Sequence, residues 1–519
     1  MKYEGTDVNS QQRAKSFQIA APLGGLNGRD GLAAMQAQDA YQLENWFPGT
    51  SGVRVRPGCS IHQNPVGSPV SSLEVFASGT NQRILAFAGA KALDVTDAAS
   101  VITLRSDIAL PQTVATMFGT VADNAQWLII TTGQDAPMSF DGTTLADLTF
   151  TGLAEASVGL NFVAAYMGRL FWVMRDKLGF YYLPPGQIQG AMEWFDLGQL
   201  SNFGGYLQAI ATYSDDAGDG PADYIVFISS RGEYFMFQGT DPGDATQWTL
   251  AGRYKGGEPI GRKCVIDYAG DILVITSTGV HQFSDIRKTG ETVLQSEALS
   301  SKLGDILLNY NENRDIWGWC MQLWPVGGML IVNVPETNNP AGNYLQFAMN
   351  TITKAWTLFT SAEWNCTCLC MSNKIIYFGR YDGSIRQIGG TVDNGSPIHF
   401  SAKQAYNYFN DQSYKQFKWA QFLVRCDAPI VLSAQLSVDY QETAPASPAS
   451  PIGIGVGDAW DVAMWDTASW GYGLYAQRWL SSFGNYGVVA SHWLIGDIVG
   501  SQLEWFSTEH VFEKAEGLL

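Results

Sequence analysis

The chain has 519 residues, which is too long for one simple hydrophobic core, so two or three domains are expected. Hydrophobic residues make up 46% and aromatic residues 13%, which excludes general disorder, whereas only 15% of the residues are charged. The net charge of −18 argues against a surface that grips nucleic acid, because affinity for phosphate comes from Lys and Arg. An acidic wall past which DNA slides remains compatible with this charge, since it repels the phosphates.

The first fifteen residues, MKYEGTDVNSQQRAK, lack the basic and then apolar layout of a signal peptide. No apolar run approaches the length of a membrane span, so we expect no stable membrane insertion. The cysteines number seven and are scattered, which indicates reduced thiols rather than a disulfide framework. We therefore expect a protein that is made in a cytoplasm.

Residues 1–65 carry few strand signals. This segment contains Gly24, Gly25, Gly28 and Gly31, followed by DAYQLENWFPG from Asp39 and VRVRPGC to Cys59. The pattern predicts an extended N-terminal arm or clamp with one short helix or turn. Such an arm must gain its burial from another surface.

Residues 66–395 contain a hairpin-like unit that recurs about seven times. Each unit is an apolar run, a short polar or glycine turn, and a second apolar run. The steps between units are 43, 43, 54, 48, 57 and 46 residues. A period in the forties with several strands per unit is typical of a β-propeller, so we predict a mainly β fold with about six or seven blades. The apolar runs begin near Ile84, Trp127, Leu170, Tyr224, Ile272, Met329 and Ile375.

One amphipathic helix interrupts the repeat near residues 296–310. Ser296 is a plausible N-cap. The apolar residues that follow it recur at helical spacing and predict an insertion packed on the propeller or on a neighbouring subunit. They are Leu299, Leu303, Ile306, Leu307 and Tyr310.

Residues 396–519 change in character and predict a C-terminal β-domain. Alternating segments such as FKWAQFLVRC indicate strands. The segment Glu442 to Gly457 is rich in Pro, Ala and Ser and predicts an exposed loop. The region after it is rich in tryptophan, which indicates either a local aromatic cluster or a contact surface, and less strongly a carbohydrate platform. These tryptophans are Trp460, Trp465, Trp470, Trp479, Trp493 and Trp505.

The sequence offers no convincing metal site. Cys366, Cys368 and Cys370 share one face of a predicted strand, but no fourth ligand is near them in sequence, so a core strand is the favoured interpretation. The acidic stretch Asp215 to Asp223 fails the EF-hand pattern, because Ala217 and Val226 occupy ligand positions, and it is interpreted as a loop between blades.

Catalytic and cofactor motifs are also missing from the sequence. The five histidines lack metal-pair spacing, and neither a GxSxG elbow nor a Walker loop is present. We therefore predict no catalytic, cofactor-binding or metal-binding residues and expect that the protein is not an enzyme. Carboxylates are abundant, so a glycosidase pair stays open as an alternative that the sequence does not localise.

The N-terminal stretch resembles the opening of tail hub proteins of short-tailed bacteriophages, also called nozzle, tail tubular or packaged-DNA stabilisation proteins. The resemblance is concentrated in about forty residues. The propeller and the tryptophan-rich region agree with that family in kind, not residue by residue. The motifs that carry the resemblance are Asp39-Ala-Tyr, Asn45-Trp-Phe-Pro and Arg56-Pro-Gly.

This resemblance implies a structural virion protein made in the host cytoplasm and located in the phage tail. It implies a homo-hexameric ring that continues the DNA channel below the portal and adaptor proteins, retains the packaged genome until ejection, and anchors tail fibres or spikes. Contact with genomic DNA in the lumen is expected to be transient. The family supplies no catalytic residues to transfer to this chain.

We predict assembly contacts at Trp46, Phe47 and Pro48, because they are apolar anchors on a segment with little core of its own. The alternative is that these three residues pack on their own propeller. Rival functions are a propeller glycosidase or depolymerase acting on the host envelope, which needs two facing carboxylates about 5–10 Å apart, and a glycan-binding propeller whose tryptophans line exposed pockets.

Overall fold

A computed structural model of the chain describes residues 14–120, 125–216, 221–288, 294–337, 342–426, 431–441, 474–480 and 485–515. The fold is mainly β, with many small antiparallel sheets and a few short helices. The chain divides into two compact units. Unit 1 consists of Met1–Gly58, Asn350–Ser361 and Gly390–Leu519, and unit 2 consists of Cys59–Met349 and Ala362–Gly389.

Unit 2 contains, within the described residues, seven groups of three or four antiparallel strands that follow one another along the chain. We call each group a sheet; six of them are separate sheets, and the sixth in chain order is part of a larger sheet. The second and third strands of each sheet are the two apolar runs of one predicted unit, so the seven hairpins expected from the sequence are confirmed. The prediction succeeds because each hairpin is local. Its two strands are joined by a short turn, and the sequence shows both runs and the turn together.

The first four sheets of unit 2 have four strands each, in chain order. The first sheet contains Val70–Ser78, Asn81–Ala88, Lys91–Asp94 and Ile102–Arg105, and the second contains Val114–Thr120, Ala125–Thr131, Met138–Phe140 and Leu145–Asp147. The third contains Leu160–Tyr166, Arg169–Met174, Gly179–Tyr182 and Glu193–Asp196, and the fourth contains Leu207–Asp216, Pro221–Ser229, Glu233–Gly239 and Trp248–Lys255.

The remaining three sheets of unit 2 are shorter. The fifth contains Val265–Tyr268, Asp271–Thr276 and Gly279–Gln282, the sixth contains Cys320–Trp324, Met329–Pro335 and Tyr344–Asn350, and the seventh contains Cys366–Ser372, Ile375–Arg380 and Ile385–Ile388 together with Cys59–Gln63. A further pair of two-residue strands, Phe150–Thr151 and Gly190–Ala191, is parallel.

The seven sheets close into a circle through their first strands. The first strand of each sheet contacts the first strand of the next, and that of the seventh sheet contacts that of the first. The last strand of the seventh sheet, Cys59–Gln63, precedes the first sheet in the chain and pairs antiparallel with Ile385–Ile388. This pairing joins the two ends of unit 2, and the sequence did not reveal it because the partners are more than 300 residues apart.

Aromatic side chains fill the space between neighbouring sheets of unit 2. Arg169–Met174 is buried at every residue, because sheets pack on both of its faces. The rings of Phe180 in the third sheet and Phe227 in the fourth are stacked with centroids 4.2 Å apart. Trp248 and Phe171 belong to the same core and stack at 6.0 Å. These contacts account for part of the high aromatic content.

The predicted amphipathic helix is not continuous. The described residues of this region form short helices at Phe283–Lys288, Leu294–Glu297 and Asp305–Leu308, and Ser296 lies inside the second of these instead of capping a helix. Leu303 and Leu307 are buried as the spacing indicated. The left-handed backbone of Gly304, with φ of 50°, precedes the third helix and breaks the regular pattern. In the part of the chain that the structure describes, 3-10 helices lie at Ser157–Gly159, Asn309–Asn313 and Ala362–Trp364.

Unit 1 is built from strands of its three chain segments. One group comprises Lys15–Ala20, Trp46–Pro48, Val53–Val55, Lys415–Cys426, Leu474–Leu480, Tyr486–Gly487 and Leu503–Lys514. The other group comprises Gly25–Leu26, Asp39–Glu44, Trp356–Phe359, Ile398–Gln404, Val431–Val438 and Ala490–Ile498. The long strands Lys415–Cys426 and Leu503–Lys514 pair along most of their length.

The structure divides the chain differently from the predicted boundaries at 65 and 395. The segment up to Gly58 is not a separate arm, because its strands pair with strands of the C-terminal region inside unit 1. Lys15–Ala20 pairs with Leu503–Lys514, and Asp39–Glu44 pairs with Ile398–Gln404. The arm does gain its burial from another surface, but the same chain supplies that surface.

Two buried histidines in unit 1 predict a loss of stability in mild acid. Burial lowers the pKa of His510 to about 4, and burial together with the nearby His510 lowers the pKa of His492 well below its usual value. The unfolded chain binds these protons below about pH 6.5, whereas the folded chain does not. The free energy of unfolding should therefore fall as the pH drops from about 6.5 to 4, by on the order of 3 kcal/mol for His510 alone.

This expectation is checked by urea unfolding of unit 1 at pH 7.5 and pH 5.0. The double variant His492→Phe/His510→Phe should show a smaller difference between the two pH values than the unchanged protein. His399→Phe is the control, because the side chain of His399 is 62% exposed beside Asp497. Equal pH dependence in the double variant and the unchanged protein would contradict the assignment.

Candidate functional site

The motifs of the N-terminal stretch form a buried polar cluster in unit 1. We call Asn45, Arg56, Thr360 and Asp393 the Arg56 cluster. The guanidinium of Arg56 donates two hydrogen bonds to the carboxylate of Asp393, at 2.8 and 2.6 Å, and its Nε donates to Asn45 Oδ1 at 2.7 Å. The side chains of Arg56 and Asp393 are 0% and 1% exposed. This two-pronged geometry is the strong form of an Arg–carboxylate pair.

Asn45 connects two other segments of the chain, those of Thr360 and His399. Its Nδ2 donates to the carbonyl oxygens of Thr360 and His399, both at 2.7 Å, and its Oδ1 accepts from the backbone N–H of Thr360 at 2.8 Å. The backbone of Asn45 has a φ of 61°, a left-handed conformation that asparagine adopts more readily than most residues. The position therefore needs both the amide group and the backbone tolerance of asparagine.

The remaining motif residues also act within unit 1. Asp39 is buried and accepts a hydrogen bond from Asn27 Nδ2 at 2.7 Å. A Cβ at Gly58 would lie 2.0 Å from the carbonyl oxygen of Val392, so only glycine fits there. The conformation and chemistry of the stretch thus serve to hold distant strands together. None of these residues lines either of the two cavities of unit 2 that are described below.

Trp46, Phe47 and Pro48 are all buried by their own chain. The ring of Trp46 packs against those of Phe400 and Trp505, and the ring of Phe47 packs against Phe359. The structure therefore agrees with the alternative in which Trp46, Phe47 and Pro48 pack within their own chain. The rings that they contact belong to unit 1, however, and not to the repeat region in which the sequence predicted a propeller. Residues this deeply buried have no surface to offer a neighbouring subunit while unit 1 keeps this fold.

A cavity of about 460 Å³ lies inside the circle of sheets and is lined by the first strands of all seven sheets, including parts of Leu73–Val75, Val114–Thr116 and Cys320–Gln322. Lys263, just before the fifth sheet, donates to Glu74 of the first sheet at 2.6 Å. Thr113 Oγ1 donates to the same carboxylate oxygen at 2.7 Å. Burial opposes the charge of Lys263, but Glu74 outweighs it and raises the pKa of the ammonium group.

Arg262 crosses the same circle beside Lys263. Its guanidinium donates to the carbonyl oxygens of Thr132 at 2.8 Å and Asn161 at 2.6 Å, which belong to the second and third sheets. Residues 262 and 263 thus connect the entry of the fifth sheet to the first, second and third sheets. The opening inside unit 2 is bridged at this end by two long basic side chains.

A second cavity of about 510 Å³ is lined in part by Arg262 and lies at the ends of the sheets where their first strands begin. We call it the arginine pocket, because four arginines line it, namely Arg175, Arg231, Arg262 and Arg314. Its acidic residues are Asp176, Glu258 and Asp315. Burial favours the neutral form of Glu258, but hydrogen bonds from Arg314 and Arg231 outweigh it and lower the pKa of this carboxyl group.

The cysteines of the predicted core strand are confirmed as core residues. Cys366, Cys368 and Cys370 are buried in Cys366–Ser372. Burial raises the pKa of Cys368 to about 12, so its thiol stays protonated at neutral pH. In the part of the chain that the structure describes, no group of three or more His, Cys, Asp and Glu residues could hold a metal ion.

Several sequence predictions fall outside the described residues. These are the predicted loop Glu442 to Gly457 and the tryptophans at 460, 465 and 470. Residues 217–220 of the acidic stretch are also outside, but its flanking strands Leu207–Asp216 and Pro221–Ser229 pair within one sheet. The stretch therefore joins two strands of the fourth sheet and does not connect two blades as the sequence suggested.

Unit 1 carries a group of exposed tyrosines that the sequence analysis missed. We call Tyr408, Tyr414, Tyr440 and Tyr486 the tyrosine patch; each side chain is between 37% and 39% exposed. The hydroxyl groups of Tyr408 and Tyr440 are 3.2 Å apart, and the rings of Tyr414 and Tyr486 are stacked at 6.2 Å. They are spread over about 80 residues of sequence, so no local pattern could have revealed the patch.

Comparisons with known proteins place the chain in no family. No known protein-family profile matches it, and no curated protein matches it. Solved structures that align with it include the computationally designed protein Ika8, with 10% identity, 63% of this chain and 98% of that chain covered, and a TM-score of 0.35. BBS1N crystallised with ARL6DN aligns with 12% identity, 65% and 99% coverage and a TM-score of 0.36.

Raptor from Chaetomium thermophilum aligns with 11% identity over 68% of this chain and 30% of that chain, with a TM-score of 0.37. Likenesses at this level carry no functional argument. Among the described residues, no helix has both the length and the apolar character needed to cross a membrane.

Proposed function

We propose that the chain is a structural subunit of a phage tail nozzle or hub. In this proposal six copies form a ring that continues the portal–adaptor DNA channel, retains the packaged genome and anchors fibres or spikes. The observation that carries the proposal is the Arg56 cluster. The stretch that resembles the nozzle family supplies residues that hold unit 1 together, and we take this structural role as support for the proposal.

Unit 2 is, in this proposal, a β-propeller with seven blades. Support comes from the seven consecutive sheets, from the circle of contacts between their first strands, and from the closing strand Cys59–Gln63. Completion of the last blade by a strand from the start of the repeat removes a free edge and ties the circle shut. A rigid body of this kind suits a part that must withstand force during DNA ejection.

The DNA path in this proposal runs between copies and not through unit 2. The cavity inside the circle of sheets is about 460 Å³, and Arg262 and Lys263 bridge its end. A space of that size holds a small molecule at most. The lumen of a ring would instead be lined by the outer surfaces of the copies, whose net charge of −18 each keeps DNA from adhering.

The tyrosine patch replaces Trp46, Phe47 and Pro48 as our proposed contact between copies. Tyrosine is enriched at protein interfaces because it combines a large apolar ring with a polar hydroxyl group. The patch also lies beside Asp411, which pairs with Lys15 at 3.4 Å and Lys514 at 3.0 Å. Hydrogen bonds within its own loop and from Lys514 hold the pKa of Asp411 far below its usual range.

The rival glycosidase function gains no support from the arginine pocket. A general acid in such an enzyme needs a carboxyl group whose pKa is raised, so that it carries a proton near neutral pH. Glu258 is in the opposite situation, because Arg231 and Arg314 stabilise its ionised form. A glycan-binding role would need exposed tryptophan pockets, and Trp317 in this cavity is already packed beside Arg262 at 5.5 Å.

The first test of the proposal is the mass of the full-length protein in solution by light scattering, with electron microscopy of the same sample. The expected result is a ring with about six times the mass of the 56.7 kDa chain. Tyr440→Ser should weaken the ring and shift the protein toward monomers. Tyr381→Ser is the matched control, because Tyr381 is similarly exposed but lies in unit 2.

One result would count against the nozzle function, and another would count only against the proposed contact between copies. A protein that remains monomeric at all concentrations and releases sugars from host-envelope glycans would favour the depolymerase alternative. A ring that survives Tyr440→Ser unchanged would keep the nozzle function but move the contact between copies away from the tyrosine patch.

A further inference from the structure

The arginine pocket has the charge and size of a ligand site that the nozzle function does not use. Its volume of about 510 Å³ falls within the usual range for small-molecule sites, about 300–1,000 Å³. The chain carries 31 Lys and Arg residues against 49 Asp and Glu, yet four arginines and three carboxylates line this cavity. A pocket lined by arginines attracts anions locally, even though the net negative charge of the protein repels anions from the rest of its surface.

The four arginines are not equivalent. Arg231 and Arg314 share the carboxylate of Glu258, at 3.3 and 3.1 Å, which balances one of their two positive charges. Arg175 and Arg262 make no ion pair among the described residues and contact main-chain carbonyl groups instead. Arg175 and Arg262 line the same cavity, and the charge of Arg175 disfavours the charged form of Arg262; Glu74 offsets this repulsion only in part, so this part of the pocket favours an anion.

Arg262 and Arg175 have different parts in such a site. The terminal nitrogens of Arg262 already donate hydrogen bonds to the carbonyl oxygens of Thr132 and Asn161. Its Nε is buried and has no hydrogen-bond acceptor within the described structure. Burial, and then the charge of Arg175, lowers the pKa of Arg262 to about 10. Arg175 is exposed and donates only to the carbonyl oxygen of Gly133, which leaves most of its N–H groups available to a ligand.

Polar and aromatic groups surround this pair of arginines. Gln208 and Ser230 line the same cavity and can donate hydrogen bonds, and Tyr206 is 41% exposed at its wall. The ring of Trp317 lies 5.5 Å from the Arg262 guanidinium. A guanidinium held against an aromatic face is a preorganised partner for planar or tetrahedral oxyanions.

We infer that the arginine pocket binds a small molecule carrying a phosphate or carboxylate group, with Arg175 as the principal contact and Arg262 as its fixed neighbour. Both groups present oxygen atoms that a guanidinium binds through two parallel hydrogen bonds. This inference does not depend on ring assembly, because every residue involved belongs to unit 2 of a single chain.

The test is isothermal titration calorimetry of the full-length protein with inorganic pyrophosphate and, separately, with citrate, at 150 mM sodium chloride. Binding of either probe is expected, and the tighter of the two identifies phosphate or carboxylate as the preferred group. Arg175→Gln should weaken that binding about tenfold or more, since it removes a charged donor from the site. Arg175 contributes one carbonyl contact to the fold, so this variant is expected to fold normally.

Arg253→Gln is the matched control. Arg253 is also an exposed arginine of unit 2 that donates to one main-chain carbonyl group, that of Leu200. Its replacement should leave binding of the probe within about twofold of the unchanged protein. The inference is overturned if neither probe binds at 10 mM, if Arg175→Gln binds as well as the unchanged protein, or if both variants weaken binding equally, which would indicate attraction to the overall surface charge.

Discussion

Replacing Arg56 with Met is expected to lower the free energy of unfolding of unit 1 by about 3–5 kcal/mol. The substitution keeps a long apolar side chain but removes two hydrogen bonds to Asp393 and one to Asn45. The carboxylate of Asp393 is only 1% exposed, so water cannot replace the lost guanidinium. An uncompensated buried charge is among the largest effects that a single substitution produces.

Urea unfolding monitored by tryptophan fluorescence measures this loss. Arg425→Met is the matched control within unit 1, because Arg425 also pairs with a carboxylate, that of Glu504, but is 54% exposed. Arg425→Met should lower the free energy of unfolding by less than about 1 kcal/mol. The double variant Arg56→Met/Asp393→Leu should lose less stability than Arg56→Met alone, since it removes the stranded charge. If Arg56→Met and Arg425→Met lower the free energy of unfolding by the same small amount, the Arg56 cluster does not hold unit 1 together.

The second large effect is expected at Lys263 in unit 2. Lys263→Met should lower the free energy of unfolding of this unit by about 3 kcal/mol, because it leaves Glu74 facing the cavity with only Thr113 as a donor. The pair is 21% and 12% exposed, so water in the cavity limits the loss relative to a fully buried pair. Thermal unfolding followed by circular dichroism measures the change.

Two further variants separate the ion pair from general effects of the substitution. Glu74→Gln/Lys263→Met removes both charges and should recover much of the lost stability. Lys177→Met breaks the exposed pair with Glu155, which is 47% and 38% exposed, and should change stability by less than about 1 kcal/mol. A double variant that is as unstable as Lys263→Met would show that the long side chain matters for its packing and not for its charge.

The pairing of neighbouring strands in unit 2 was predictable from the sequence. Each hairpin brings together two apolar runs separated by a few turn residues, as in Asp271–Thr276 and Gly279–Gln282, so the signal is contained in about fifteen residues. The burial of Cys366, Cys368 and Cys370 followed from their alternation in one such run. The amphipathic helix failed because a helical spacing of apolar residues does not reveal where the backbone reverses, as it does near Gly304.

The candidate sites were not predictable in the same way. Arg56 and Asp393 are 337 residues apart, so the sequence motifs contain only one side of this ion pair, although they contain both sides of the contact between Arg56 and Asn45. The anchoring residues Trp46 and Phe47 looked unpartnered because Phe400, Trp505 and Phe359 are equally distant along the chain. The arginine pocket gathers residues from Gln112 to Trp317, none of which stands out in its own neighbourhood.

The sequence alone was enough to predict that the protein is mainly β, that a hairpin recurs through its middle, and that Cys366, Cys368 and Cys370 are core residues, because these properties depend on periodicity over short stretches. The tertiary structure was needed to show that the N-terminal segment belongs to unit 1, that Cys59–Gln63 completes the seventh sheet, and that Arg175 and Arg262 meet in one pocket. Those outcomes depend on which distant strands pair, and pairing over hundreds of residues leaves no periodic trace in the chain.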